Sequence, residues 1–275
     1  MQVKIEHSPL AKAAMQAALK AGAILRKGFG TQFSTTAKES FHDIVTEFDR
    51  SAEEAMISYL RQCFPKHAFL AEESGRSEDP DAEVCWIIDP LDGTLNFARH
   101  LPMFCVSIAA VVNRKIDTGV IYNPLLNEMF VAERDHGAYL CYPQPKIESS
   151  INSKRLSVSR IDTMEKAVIA TGFPVSSSET RDLCIAQFIK FLDNANPIRL
   201  LGSAALTLAY IAAGRLDVYW GSNLKPWDVA AGNLLIEEAG GKVTNFDGSA
   251  HDLFQITNTL ATNALLHDHA LSILK

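Results

Sequence analysis

The sequence lacks the features that mark membrane and secreted proteins. Its longest apolar run, residues 103–112, is about half the length that a helix needs to cross a bilayer. The first residues carry neither the basic start nor the long apolar core of a signal peptide. We therefore expect a soluble, cytoplasmic protein that does not bind a membrane.

Cysteine is scarce and irregularly spaced. The odd count and the lack of any Cys-x-x-Cys pair argue against a disulfide framework or a zinc knuckle. Each cysteine stands in apolar sequence, so we expect buried, reduced thiols at all five positions, which are Cys63, Cys85, Cys105, Cys141 and Cys184.

Positive charge is also in short supply. The 275 residues include 26 Lys and Arg against 32 Asp and Glu, a net charge of −6. No basic stripe with interleaved aromatic residues occurs, so we expect no nucleic-acid partner. An acidic protein repels a phosphorylated substrate unless bound cations reverse the local field. Clusters of carboxylates therefore become the features to look for.

Hydrophobic periodicity predicts a mixed α/β protein. Hydrophobic residues make up 47% of the chain and charged residues 21%, which is typical of a globular protein. The pattern predicts helices at 8–28, 49–64, 179–192, 203–213 and 228–239 and at the end of the chain. It predicts strands at 68–71, 84–88, 104–112, 117–122, 128–132, 168–171, 198–200, 216–220 and 242–245.

The order of these elements favours stacked sheets and helices over a simple doubly wound sheet. The three strands between 104 and 132 have short polar connections, which is typical of an antiparallel meander. Residues 142–154 are rich in Pro and Ser and are predicted to be a linker. His267 and His269 are expected on a solvated helix near the end of the chain.

The densest chemical signal lies at residues 86–97. An apolar strand ends in Asp89, a proline turns the chain, and Asp92 follows three residues after the first carboxylate. Gly93 allows a close backbone approach, and a helix starting at Thr94 would point free N–H groups at a phosphate. Two carboxylates beside a phosphate make sense if divalent cations lie between them, and oxygen ligands favour Mg²⁺ over zinc. An ordinary Asp-Gly turn is the alternative.

Other acidic residues occupy comparable positions. Glu72 directly follows the apolar run 68–71, and Asp228 opens the helix 228–239. Asp43 and Asp49 stand just before or within the first turn of the second helix. A solvated turn explains Glu72 equally well, and helix capping explains the three aspartates. The chain has no Gly-x-x-x-x-Gly-Lys, His-Glu-x-x-His or Gly-x-Ser-x-Gly motif.

Taken together, five separated segments resemble the inositol monophosphatase family, and they occur in that family's order across essentially the whole chain. They are Asp43-x-Val-Thr-x-x-Asp49, Glu72-Glu73-Ser74, Trp86-Ile-Ile-Asp89-Pro-Leu-Asp92-Gly-Thr94, Gly202-Ser-Ala-Ala and Trp227-Asp228-x-Ala-Ala-Gly. The resemblance implies a five-layer αβαβα sandwich, a homodimer, and lithium-sensitive hydrolysis of phosphomonoesters with two to three Mg²⁺ ions.

The resemblance also implies a role for each matching position. The implied metal ligands are Glu72, Asp89, the Leu91 carbonyl, Asp92 and Asp228, and the implied water-activating pair is Asp49 and Thr94. The implied substrate contacts are Asp92, Gly93, Thr94, Arg199, Gly202, Ala204 and Asp228. On this basis an N-terminal half, residues 1–148, carries most metal ligands, and residues 149–275 supply Asp228 and the wall around the substrate ring.

Two positions depart from the family pattern. Leu95 replaces the usual Thr, and Gly221, seven residues before Asp228, replaces the Glu that holds inositol hydroxyls in many members. Loss of that carboxylate weakens recognition of ring hydroxyls. The resemblance therefore implies attack of a metal-activated water on myo-inositol monophosphate or a similar small sugar phosphate. The alternatives are a nucleotide 3′-phosphatase, a histidinol-phosphate phosphatase, or a regulatory binding protein on this fold.

Overall fold

The computed structural model describes residues 2–37, 44–76, 82–148, 150–173, 178–194 and 198–275. Asp43, which belongs to the first family-like segment, lies outside the described residues. Every helix in the described ranges is too short or too polar to cross a membrane.

The chain opens with two helices that follow short strands. The elements are β1 (Gln2–Glu6), α1 (Pro9–Gly28), β2 (Thr35–Ala37), β3 (Ile44–Thr46) and α2 (Glu47–Cys63). The Ser8 side chain caps α1 by accepting a hydrogen bond from Ala11 N. Thr46 and Asp49 form a capping box at the start of α2, which begins two residues earlier than predicted. The two predicted helices are confirmed.

A large sheet forms the centre of the N-terminal part. Its remaining strands are β4 (Ala68–Ala71), β5 (Gly75–Arg76), β6 (Val84–Asp92), β7 (Cys105–Val112), β8 (Lys115–Asn123), β9 (Glu128–Glu133), β10 (Gly137–Cys141) and β11 (Ser150–Arg155). The nine strands lie in the order β1-β11-β10-β9-β8-β7-β6-β4-β5. Strands β6 to β10 pair antiparallel with their sequence neighbours, so the predicted meander is confirmed, whereas β4 runs parallel to β6.

The prediction of a linker over residues 142–154 was wrong at its end. Ser150–Arg155 forms β11, which pairs with β1 on one side and β10 on the other. Its polar sequence carries no strand signal, because the pairing depends on partners that lie far away along the chain.

The C-terminal part adds a smaller sheet and further helices. Its elements are β12 (Ile169–Gly172), α4 (Ser178–Asn194), α5 (Ala204–Ala212), β13 (Val218–Leu224), α6 (Pro226–Glu238), β14 (Lys242–Asn245), β15 (Thr257–Thr262) and α7 (His267–Leu274), and the short helix α3 (Thr94–Ala98) follows β6. The small sheet has the order β12-β13-β15-β14. The strand predicted at 198–200 is only an isolated bridge between Arg199 and Ala170.

The elements stack in the five layers that the resemblance implies. Trp86 and Ile88 of β6 pack with α1 and α2, whereas Ile87 points to the opposite face and packs with α5 and α6. Trp220 of β13 packs with α4 and α7 on the far side of the small sheet. The order of layers is α1/α2, large sheet, α5/α6, small sheet, α4/α7, so the αβαβα prediction is confirmed.

Two predictions about individual side chains need correction. Cys63 is exposed, because it lies in the last turn of α2, whereas the other four cysteines are buried and all five are free thiols. His267 is buried rather than solvated, and its ring contacts the hydroxyls of Thr244 and Thr262. Burial lowers the pKa of His267 to about 4, so the ring is neutral where α7 meets the small sheet.

Candidate metal centre

A bulge in β6 places two carboxylates on one face of the large sheet. Asp89 lies opposite Ser107 and Asp92 lies opposite Cys105, so three steps on β6 match two steps on β7. Residues three apart in a regular strand face opposite sides, and the one-residue bulge brings them back to the same side. That side faces the α5/α6 layer, since Ser107 Oγ donates to the Trp227 carbonyl of α6.

Asp228 completes a cluster of three carboxylates. It lies in the first turn of α6, at the third helical position, and not at the capping position that the sequence suggested. Single oxygens of Asp89, Asp92 and Asp228 lie within 4.8 Å of one another. The cluster therefore joins the large sheet to the middle helical layer.

Each carboxylate of the cluster is held by hydrogen-bond donors. Asp89 Oδ1 accepts from Leu91 N at 2.9 Å, and Asp228 Oδ2 accepts from Lys225 N at 2.7 Å. Asp92 Oδ2 accepts from Ser203 Oγ at 2.5 Å and from Ala205 N at 2.8 Å. These bonds orient the carboxylates, each of which offers one oxygen to the cluster.

Burial of several carboxylates so close together favours the binding of a cation. Burial raises the pKa of Asp89 well above its ordinary value, and the charges of Glu72, Asp92 and Asp228 raise it further. Burial is also the main cause of the raised pKa values of Asp92 and Asp228. Converging buried carboxylates are stable together only when protonated or when bound to positive charge. An all-oxygen donor set fits Mg²⁺.

Glu72 lies beside this cluster but outside its tightest part. It follows β4, and its N–H donates to the Ile88 carbonyl at 3.1 Å, so the parallel pairing of β4 with β6 brings it next to Asp89. Its charge raises the pKa of both Asp89 and Asp228. Its oxygens are not among those that lie within 4.8 Å of one another.

Asp49 and Thr94 form a hydrogen-bonded pair at the edge of the cluster. The Thr94 hydroxyl lies 2.9 Å from Asp49 Oδ1 and 3.0 Å from the Leu91 carbonyl. Asp49 Oδ2 accepts from the backbone N and the hydroxyl of Thr46, so the capping box of α2 orients the carboxylate. Burial raises the pKa of Asp49, which is a property of a group able to take up a proton.

Gly93 connects β6 to α3 in a conformation that other residues avoid. Its φ is 99°, and a Cβ there would lie 3.0 Å from the Met103 carbonyl oxygen and 3.3 Å from that of Gly202. No side chain caps α3 at this end. The backbone of Gly93 and Thr94 is therefore close to both the acidic cluster and the start of α5.

A cleft of about 330 Å³ lies along the small sheet, and Ser203, which donates to Asp92, is part of its lining. Gly202 and Ala204, two of the residues assigned to the substrate wall, line it. Arg199 is exposed, bonds through its backbone to β12, and does not line the cleft. The structure thus brings most of the expected site residues together and leaves Arg199 outside.

Sequence reasoning missed two side chains at this site. Ser203 donates to Asp92 while its oxygen caps α5 by accepting from Leu206 N, and a Ser at a helix start was the available signal. Tyr219 lines the cleft, and nothing in the sequence distinguishes it from an ordinary core aromatic.

Neutralising Asp89 is expected to stabilise the metal-free protein. A raised pKa in the folded state gives stability that is present at acidic pH and is lost as the pH rises through that pKa. In chelator, wild-type stability should therefore fall as the pH rises past the ordinary Asp pKa of 3.8, since the pKa of Asp89 is raised above that value. Asp89→Asn should make this slope shallower, with Asp92 and Asp228 still contributing to it, and should raise stability at pH 8 by on the order of 1–3 kcal/mol, measured by urea unfolding.

Saturating Mg²⁺ provides the control for this measurement. The cation should stabilise the wild type and reverse the order of the two proteins, because only the wild type keeps the full carboxylate set. Identical pH slopes for the two metal-free proteins would show that ionisation of Asp89 does not destabilise the fold.

Comparison with known proteins agrees with this geometry. The model of the inositol monophosphatase family matches residues 6–275. Nus factor SuhB of Escherichia coli (strain K12) is 39% identical over 256 residues, which cover 93% of this chain and 91% of that protein. The solved structure of extragenic suppressor protein suhB from Bartonella henselae gives a TM-score of 0.88 at 38% identity, covering 98% of this chain and 99% of that one. An IMPase from Thermotoga maritima gives 0.83 at 35% identity, covering 95% and 94%. The chain belongs to the inositol monophosphatase family.

Proposed function

We propose that the protein is a Mg²⁺-dependent phosphomonoesterase acting on myo-inositol monophosphate or a similar small sugar phosphate. The observation that carries the proposal is the convergence of Asp89, Asp92 and Asp228 beside the hydrogen-bonded pair of Asp49 and Thr94. A buried site of this kind combines a place for cations with a group able to accept a proton. Hydrolysis of a phosphate ester requires both.

The residues of this chain supply most of the proposed mechanism. Thr94 Oγ1 accepts a proton from the attacking water as its own proton passes to Asp49 Oδ1, 2.9 Å away. The backbone amides of Gly93 and Thr94 bind the phosphoryl oxygens, as the family resemblance implies. When bound by Glu72 and the three aspartates, Mg²⁺ supplies positive charge to the phosphoryl group and makes water more acidic.

The leaving alcohol is assigned to the cleft that Gly202 and Ala204 line. The cleft adjoins the acidic cluster through Ser203, which both lines it and donates to Asp92. Its size suits a single sugar or inositol ring rather than a polymer.

A substrate panel at fixed Mg²⁺ tests this function. The panel contains inositol 1-phosphate, fructose 1,6-bisphosphate, adenosine 3′,5′-bisphosphate and histidinol phosphate, ranked by kcat/KM. Mg²⁺-dependent phosphate release with the highest kcat/KM on inositol 1-phosphate or the sugar phosphate supports the proposal. Preference for either of the other two would assign one of the alternative activities, and no release from any of them would refute the phosphatase.

A second candidate function is a regulatory role that depends on a protein partner. The similarity to relatives named Nus factor SuhB favours it, because that name describes a factor and not an enzyme. A pulldown with wild type and with an Asp92→Asn variant separates the two functions. A partner retained by the inactive variant would show a role independent of catalysis.

A further inference from the structure

Tyr219 and Gly221 form a complementary pair on β13. Both residues face the α5/α6 layer, since they stand two apart on the strand. A Cβ at position 221 would lie 2.5 Å from the Tyr219 hydroxyl oxygen and 3.0 Å from its ring Cζ. The absence of a side chain at Gly221 therefore makes the space that the phenol hydroxyl occupies. Gly172 lies opposite Gly221 on the neighbouring strand β12, and it likewise has no side chain to fill this space.

The Tyr219 side chain is almost fully buried, and its hydroxyl opens onto the cleft. The residue is only 2% exposed, and no hydrogen bond joins its hydroxyl to any residue in the described ranges. The hydroxyl is not one of the fully enclosed polar atoms of these ranges, so the cleft is the side from which a partner can reach it. Buried hydroxyls are nearly always paired, because leaving one unpaired is costly. An unpaired donor that lines a cleft points to a ligand as its partner.

Three other hydroxyl protons along the cleft are already in use. Thr171 donates to the Trp220 carbonyl, Thr207 donates to the Ser203 carbonyl, and Ser203 donates to Asp92. Among the described residues that line the cleft, none carries a charged side chain. The side chains of this lining that keep a donor for a bound molecule are those of Tyr219, Ser222 and Asn223.

Burial keeps the phenol of Tyr219 protonated. It raises the pKa of Tyr219, and the charges of Asp228 and Asp92 raise it further. The hydroxyl is therefore a hydrogen-bond donor at neutral pH.

We propose that Tyr219 is a specificity-determining residue that donates a hydrogen bond to an oxygen of the leaving alcohol. The cleft then selects phosphomonoesters of uncharged alcohols that carry an acceptor oxygen besides the ester, such as polyols and sugars. It discriminates against esters that lack this acceptor. This inference rests on the proposed phosphatase function and adds the side chain that recognises the alcohol.

The test compares two substrates with wild type and Tyr219→Phe. Inositol 1-phosphate carries acceptor oxygens on its ring, and phenyl phosphate carries none on its leaving group. We expect Tyr219→Phe to lower kcat/KM for inositol 1-phosphate by about 3- to 10-fold, the loss of one hydrogen bond, and to leave phenyl phosphate unchanged. Tyr139→Phe is the matched control, because its hydroxyl donates to the His136 carbonyl on the large sheet, outside the cleft.

Gly221→Ala provides a second and independent variant. Its methyl group would displace the phenol, so it should reproduce the selective loss of Tyr219→Phe. The two changes combined should cost little more than either alone, because both remove the same contact. Thermal unfolding of each variant verifies that the fold is retained.

The outcomes separate this inference from the phosphatase proposal. An equal loss on both substrates, or no loss on either, overturns the role of Tyr219 while phenyl phosphate hydrolysis still supports the phosphatase. If neither ester is hydrolysed, the phosphatase proposal fails. In that case calorimetric binding of inositol 1-phosphate in Mg²⁺ tests the role of Tyr219 separately. An unchanged Kd in Tyr219→Phe overturns the inference, and a higher Kd supports it.

Discussion

Replacing Asp92 by Asn is expected to abolish Mg²⁺-dependent hydrolysis, with a loss in kcat/KM on the order of 10³-fold or more. Asp92 Oδ2 accepts bonds from Ser203 Oγ and Ala205 N. The amide oxygen of Asn can keep both bonds, and its NH₂ group must then face the position that a cation would occupy. A donor replaces an acceptor there, so the site loses a ligand while the fold is preserved.

Two measurements make this result interpretable. Steady-state phosphate release gives the loss of activity, and thermal unfolding in chelator shows whether the variant still folds. Asp268→Asn is the matched control, because Asp268 lies exposed on α7 beside Lys242 and is expected to change neither quantity. Near-normal turnover by Asp92→Asn would refute its assignment as a metal ligand.

Thr94→Ala is expected to lower kcat by about 10²- to 10³-fold with little change in KM. In the proposed mechanism the Thr94 hydroxyl, bonded to Asp49 Oδ1, links that carboxylate to the attacking water, and the link is needed only as the proton moves. Thr94 is a cleaner test than Asp49, because Asp49 also forms the capping box of α2 with Thr46. Removing Asp49 would change helix stability and catalysis together.

Thr94→Ser is the matched variant for this experiment. It keeps the hydroxyl and loses only a methyl group, so it should retain activity within about 10-fold of the wild type. Single-turnover measurements of both variants separate the chemical step from binding. A rise in KM with an unchanged kcat in Thr94→Ala would reduce Thr94 to a binding residue.

Much of the architecture could be predicted from local patterns. The start of α1 at Ser8-Pro9 and the apolar run that becomes β6 are short-range signals, because caps and buried strands depend on residues a few positions apart. Strand β11 could not be found in this way, since its polar residues pair with β1, which lies far away at the start of the chain. The burial of His267 likewise depends on Thr244 and Thr262, which belong to other elements.

For the candidate site, too, the residue types could be predicted from the sequence, whereas their arrangement could not. The sequence by itself determined which residues are candidates for the chemistry, because Asp89, Asp92 and Asp228 stand in segments with a recognisable order. The tertiary structure alone decided that they face one another. A spacing of three would send Asp89 and Asp92 to opposite faces of a regular strand, and the bulge against β7 brings them together.

Tyr219 shows the limit of the sequence most clearly. Its residue type and its place in an apolar strand are those of any core aromatic, and the missing side chain at Gly221 predicts weaker recognition of ring hydroxyls. In the folded chain that missing Cβ is the space that the phenol hydroxyl fills. The sequence determined the residue types, whereas the packing of β13 against the α5/α6 layer decided which polar atoms are left to meet a ligand, because a hydrogen-bond partner is a matter of distance in space and not along the chain.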